Sequence, residues 1–204
     1  MLLLGCMLLA LFPQIDLQIS SYFYKDGFYL KNEPFAHFIY KATIITTATF
    51  GIGALLLLIV ELITKKEWIK KRVLLYLLAV LALGPGLIVN ELFKNHFGRA
   101  RPSQIAEFGG TKKFTPALLP TDQCKKNCSF SSGHAAAAFY FLALVPLARK
   151  RKLAILTLAL AWGWIVGMVR IIQGGHFFSD VYCSMVVDIL VVWLLYHLFF
   201  ERKR

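Results

Sequence analysis

The chain has 204 residues, 58% of them hydrophobic and only 17% charged, with a formal net charge of +12. A typical globular chain is about a quarter charged, so this balance excludes an ordinary soluble protein, while the length fits one domain, 1–204, and gives no sign of a second. Twelve of the 23 Lys and Arg residues fall in three clusters, Lys65, Lys66, Lys70, Lys71 and Arg72, then 149–152, then 202–204, and such clusters beside apolar blocks read as membrane topology rather than as a nucleic-acid footprint.

In chain order, the first apolar block is 2–12. It is short for a bilayer crossing, which takes about 20 residues. A cleaved signal peptide calls for a basic leader and a small-residue cleavage site, and neither is clear. Leu3-Leu4-Gly5-Cys6 faintly resembles a lipoprotein cleavage box, with no apolar segment before it. Residues 2–12 are therefore expected to form a short first membrane helix, followed by a stretch, 15–38, lying on the membrane surface. Blocks 39–63, 73–89, 153–169 and 181–200 each approach full spanning length, and 135–148 does so if its helix starts at the serines before it. The sequence thus predicts an all-α bundle of six transmembrane helices.

Alternation of six crossings sets all three basic clusters on one face, the cytoplasmic one under the positive-inside rule. Loops 92–132 and 170–178 then lie on the opposite, external face. Loop 92–132 carries seven basic residues, but charge steers topology less in a long loop. Cys124 and Cys128 in that loop suit a small-loop disulfide; the rival reading, a metal pair, lacks further Cys or His at ligand spacing nearby. Cys6 and Cys183 sit in apolar segments and read as buried thiols.

The unusual polar residues gather in three segments at the external helix ends. Lys94 and Arg101 are seven apart, two helical turns, and would share a face if the third helix continued outward; Pro102 then ends regular structure. A point charge and a planar fork together suit phosphate oxygens, although basic residues beside a membrane helix more often meet headgroups or water. Ser132 reads as an N-cap ahead of Gly133, His134 and four alanines, so a helix N-terminus, an anion site, would open there. A plain cap with an interfacial histidine is the bland alternative. In the third segment Arg170 precedes the Gly174-Gly175 turn, and His176 and Asp180 stand i, i+4 at the start of the sixth helix, where a carboxylate fixes a histidine's tautomer. Among other polar residues, Glu91 is expected to pair with or orient Lys94. Asp188 either lines the same groove or only bonds Ser184 or a neighbouring helix. Glu61 and His197 mark the interface, and Trp68, Trp162, Trp164 and Trp193 suit interfaces or packing.

These residues resemble the type 2 phosphatidic acid phosphatase family, whose pattern is Lys-x6-Arg-Pro, Pro-Ser-Gly-His and Ser-Arg-x5-His-x3-Asp. Here the first motif is complete from Lys94 to Pro102; Ser131 replaces the proline of the second, and Val169 the serine of the third. The resemblance implies that His176 attacks phosphorus, Asp180 raises its basicity, and His134 protonates the leaving oxygen and then activates water. Lys94, Arg101, Arg170, the Ser132 hydroxyl and the Gly133 N–H would bind transition-state charge, with no metal and no cofactor; Asp122 and Glu107 are isolated loop acids. Gly98-Arg-Ala-Arg-Pro, Phe108-Gly109-Gly110 and the Cys124/Cys128 pair resemble the bacterial lipid A 1-phosphatase branch. The implied substrate is a lipid phosphate in a bacterial inner membrane, met on the periplasmic side. Phosphatidylglycerol phosphate, undecaprenyl diphosphate and phosphatidate are alternatives. Arg99, Lys112 and Lys113, with Lys125 and Lys126, are candidates for a second phosphate or a sugar headgroup, against the bland reading of solvated loop charge. Related vanadate haloperoxidases resemble large soluble proteins, which six apolar spans disfavour. A non-enzymatic lipid-phosphate binding or transport protein would need the cations but not His176, Asp180 and His134 together.

Overall fold

A computed structural model describes residues 1–201, so the basic cluster at 202–204 lies outside the described residues. The fold is all-helical: α1 (Leu2–Leu11), α2 (Gln14–Ser21), α3 (Pro34–Thr64), α4 (Lys71–His96), α5 (Gly133–Leu147), α6 (Lys152–Ile172) and α7 (Phe178–Glu201). Four of these, α3, α4, α6 and α7, are long and apolar enough to cross a membrane. α1 and α2 form a pair bent by 83°, and α5 is a shorter apolar helix. The expected count of six is reached only if the bent pair and α5 are each counted as a crossing.

Local chemistry explains the helix boundaries. Pro34 opens α3, its fixed φ suiting the first turn, and Lys65 closes it in the left-handed region at φ 56°. Beyond that end Glu61 accepts hydrogen bonds from the Trp68 and Ile69 N–H groups, both at 2.8 Å, so it is a buried cap for the loop as well as an interfacial acid. α4 contains Gly84-Pro85-Gly86. Proline offers no N–H and its ring collides with the carbonyl one turn back, and the chain widens into a π-helix over Ala82–Phe93, where Asn90 Nδ2 donates to the Pro85 carbonyl at 2.8 Å. α5 starts at Gly133 with Ser132 as N-cap, tightens to a 3-10 turn over Tyr140–Ala143, and ends at Leu147.

The core lies between α4, α5, α6 and α7. Tyr76, Val80, Ala135, Phe139, Tyr140 and Val181 are all buried in it. Small residues let the helices close in, as in membrane bundles generally: a Cβ on Gly163 would fall 2.1 Å from the Phe139 ring, and one on Gly167 2.3 Å from Val181. α3 packs more loosely and turns Ile45, Ile52, Leu56 and Ile63 outward, the face expected toward lipid. Because α4 and α6 end where α5 and α7 begin, Lys94, His134, Arg170 and His176 gather at one end of the bundle, where the start of α3 brings Tyr40. The segment 15–38 does not lie apart as a free surface stretch. Within it Asp16, Ser20 and Phe28 are buried beneath that same end, and Gly174, at φ +65°, packs against Phe28.

Candidate active site

The turn between α6 and α7 presents His176, which is 1% exposed. Its Nδ1 lies 2.7 Å from the Ser129 carbonyl oxygen. A carbonyl only accepts, so Nδ1 carries the proton and Nε2 keeps its lone pair. Asp180 Oδ2 stands 3.8 Å from the same Nδ1, too far for a hydrogen bond. The expected direct carboxylate–imidazole contact is therefore replaced by a carbonyl contact, with Asp180 close behind. Burial holds the His176 ring below its ordinary value, to about 3; the Asp180 carboxylate opposes this, and the charges of Arg170 and Lys94 reinforce it. The imidazole is neutral at physiological pH.

Asp180 is held from several sides. Oδ2 accepts from Ser129 Oγ at 2.5 Å and from the Phe177 N–H at 2.9 Å, and Oδ1 accepts from Arg99 Nη1 at 2.5 Å. Arg99, also 1% exposed, donates through Nη2 to Asp16 Oδ2 at 2.8 Å and through Nε to the Thr115 carbonyl at 2.8 Å, and lies 4.2 Å over the Phe177 ring. Asp16 completes the network by accepting from the Ser179 N–H at 2.8 Å and from Ser179 Oγ at 2.5 Å. Two carboxylates thus share one guanidinium, as buried charges require.

The cations converge by another route than the sequence suggests. α4 stops at His96, and Gly98 takes φ +63°, with a hypothetical Cβ only 1.7 Å from the Thr121 carbonyl oxygen. Lys94 and Arg101 therefore do not share a helix face; they meet at Asn127, whose Oδ1 accepts from Lys94 Nζ at 3.3 Å and whose carbonyl accepts from Arg101 Nη2 at 2.9 Å. The Cys124–Cys128 disulfide closes the small loop that carries Asn127. Ser132 Oγ accepts from the Ala135 N–H, so the α5 N-terminus forms as the sequence predicts. A Cβ on Gly133 would fall 2.3 Å from Asn90 Oδ1 and 3.2 Å from Lys94 Nζ, so glycine lets the lysine approach the helix end. The His134 ring stacks on Tyr40 at 4.1 Å between centroids, and Arg170 sits 5.0 Å from the Tyr40 ring. Arg170 Nη1 donates to Gln173 Oε1. A cavity of about 310 Å³ is walled by Lys31, His37, Tyr40, Arg101, Arg170 and Gln173; a second, of about 330 Å³, is lined by Ile44, Leu81, Asn90, Lys94, Gly133 and His134.

The eight motif residues thus come together at one end of the bundle, while several other expectations change. Arg99 is not at the headgroup: its donors are spent on Asp16, Asp180, Ser179 and Thr115. Lys112 and Lys113 line neither cavity. Glu91 is exposed and forms no ion pair with Lys94 among the described residues. Ser184 Oγ donates to the Asp180 and Ser132 carbonyls, not to Asp188, whose buried carboxylate oxygens face Gly84 without a partner. Among the described residues no group of three His, Cys, Asp or Glu side chains is placed to hold a metal ion. Sequence reasoning missed Asp16, Ser129, Tyr40 and Asn127. Only Asp16 left a signal there, as an acid four residues beyond the first apolar block.

Residues 72–204 match the family described as the PAP2 superfamily. A protein named lipid A 4'-phosphatase from Francisella tularensis subsp. novicida (strain U112) is 38% identical over 200 residues, 95% of this chain and 90% of its own length. Proteins of that name from Rhizobium etli (strain ATCC 51251 / DSM 11541 / JCM 21823 / NBRC 15573 / CFN 42) and Rhizobium leguminosarum are each 35% identical over 115 residues, 56% of this chain and 45% and 49% of theirs. These relatives bear out the family-level resemblance; they carry the 4'-phosphatase name and not the 1-phosphatase one. No solved structure matches the chain.

Proposed function

The chain belongs to the PAP2 superfamily, and from that premise we propose that this multi-pass membrane hydrolase removes the 4'-phosphate of lipid A at the periplasmic face of a bacterial inner membrane. The 4'-position comes from the names of its relatives and replaces the 1-position suggested by the sequence alone. One observation carries the chemistry: the Nδ1–H bond to the Ser129 carbonyl leaves His176 Nε2 as a neutral lone pair at the end of the bundle that holds three cations.

In this reading Nε2 attacks phosphorus and forms a P–N bond as the P–O bond to the sugar breaks. His134, protonated once the phosphate dianion lies beside it, gives that proton to the departing oxygen. The neutralised His134 then takes a proton from water, whose oxygen attacks phosphorus, breaks the P–N bond and releases inorganic phosphate. Lys94, Arg101 and Arg170, with the Ser132 hydroxyl and the Gly133 N–H, stabilise the negative charge at phosphorus in both steps. Asp180 stabilises the His176 ring when it bears positive charge as phosphohistidine. The fixed cations supply the electrostatic role that a metal otherwise fills, so turnover is expected with chelator present.

The test is phosphate release by detergent-solubilised protein, with chelator, from bisphosphorylated lipid A, phosphatidylglycerol phosphate, undecaprenyl diphosphate and phosphatidate. Lipid A should be preferred, with tandem mass spectrometry of the product showing the 1-phosphate retained. Loss of the 1-phosphate instead, or preference for a glycerolipid, would overturn the substrate. Dependence on added divalent metal, or activity surviving His176→Ala, would sink the mechanism.

A further inference from the structure

Apart from the catalytic groups, the N-terminal pair α1–α2 carries a second juxtaposition. Cys6 of α1 and Cys183 of α7 are 177 residues apart in sequence, yet their Sγ atoms stand 3.0 Å apart. Both are buried, with Ala117, Phe130 and Val186 around them. α1 lies tightly on α7 here: Tyr182 Oη donates to the Leu2 carbonyl, and a Cβ on Gly5 would fall 2.3 Å from that same Oη. Cys183 is one turn beyond Asp180, and Phe130 is two residues beyond Cys128. The pair therefore sits beside the site, at the end of the bundle that carries the Cys124–Cys128 disulfide.

We propose that Cys6 and Cys183 are oxidised to a second disulfide, which staples the N-terminal pair to the helix bearing Asp180. The proposal rests on the outward placement of the site given above, because disulfides persist in oxidising compartments. Closing the bond needs a movement of about 1 Å, from the present separation to about 2.0 Å. The two thiols lose two protons and two electrons to the disulfide of an exported thiol oxidoreductase, which leaves as a dithiol. The consequence reaches the active site: with α1 fixed, α2 keeps Asp16 on Arg99 and Ser179, and Arg99 on Asp180. A cross-link closing so long a stretch of chain is also of the kind that most constrains the unfolded state.

The experiment traps thiols in acid-quenched whole cells. Free thiols are alkylated under denaturing conditions with one maleimide; disulfides are then reduced and alkylated with its deuterated form, and the four cysteine peptides are read by mass spectrometry. Cys6 and Cys183 should carry the second label, as should Cys124 and Cys128, and an unreduced digest should contain a Cys6–Cys183 cross-linked peptide. First label on Cys6 and Cys183, with second label on Cys124 and Cys128, overturns the staple and leaves the outward placement standing. First label on all four overturns both. The trapping uses the unaltered protein, so it stands whether or not a variant folds. As a second measurement, the double variant Cys6→Ser, Cys183→Ser should melt at least ~5 °C lower in detergent; an unchanged melting temperature would argue against a bond there.

Discussion

At His176 a single hydrogen bond decides which nitrogen reacts. The Ser129 carbonyl takes the Nδ1 proton, and burial keeps the ring neutral down to about pH 3. The same burial makes a prediction about stability. An unfolded chain protonates this ring near 6.5 and the folded one only near 3, so between those values the unfolded state binds more protons and stability rises with pH. The contribution is complete above about 6.5 and is lost as the pH falls toward 3. The melting temperature in detergent should therefore fall from pH 7 to pH 5, and that slope should shrink in His176→Gln; equal slopes would count against a buried neutral ring. Asp16 is a residue of another kind, since it touches no reacting atom and acts through Arg99 and Ser179. Removing its carboxylate leaves Arg99 paired with Asp180 but strips the acceptor from Arg99 Nη2 and the Ser179 N–H, and each buried donor left unpaired typically costs about 1–3 kcal/mol. Asp16→Ala should thus melt lower and lose kcat with KM little changed, because the substrate-facing cations are untouched; Asp16→Asn should recover part of both. A rise in KM with kcat intact would place Asp16 in substrate binding instead.

At the scale of elements, the Gly98 turn is where local geometry does most for the site. It lets the chain leave α4 at His96 and return Arg101 to Lys94 over Asn127, in contact with Thr121. A methyl group at Gly98 meets backbone, not a flexible side chain, and the φ of +63° is itself unfavourable for alanine. Gly98→Ala should lower kcat/KM by at least about tenfold, equal to about 1.4 kcal/mol of transition-state stabilisation, and wild-type kinetics would disprove the coupling between turn and cations. The sequence makes only part of this legible. The α5 start could be read from Ser132, Gly133 and the alanines because capping is a local matter. The meeting of Lys94 and Arg101 was foreseen, but for the wrong reason, as a continuing helix would have hidden the Asn127 bridge. α2 escaped notice because its importance lies in contacts 83 and 163 residues away, which no periodicity records. The π-helical stretch of α4 was signalled only by Pro85.

Over the whole molecule, the charge clusters and the site occupy opposite ends of the same helices. Lys65, Lys66, Lys70, Lys71 and Arg72 lie at the junction of α3 and α4, and residues 149–152 at that of α5 and α6, all of them exposed. Lys94, at the far end of α4, follows Lys71 by 23 residues of a 26-residue helix, or about 35 Å at 1.5 Å per residue. That length exceeds the roughly 30 Å of a hydrocarbon core, so a bilayer fits between the two ends without burying either set of charges. This separation was readable in the sequence because it needs only alternation of spans and the positive-inside rule; whether the bent α1–α2 pair crosses does not alter it. Orientation follows as a prediction. In intact cells a membrane-impermeant maleimide should label Lys113→Cys, in the loop beside the site, and should reach Lys150→Cys only after permeabilisation. The reverse pattern would put the catalytic end in the cytoplasm, where the outward disulfides and a periplasmic lipid substrate would both lose their footing.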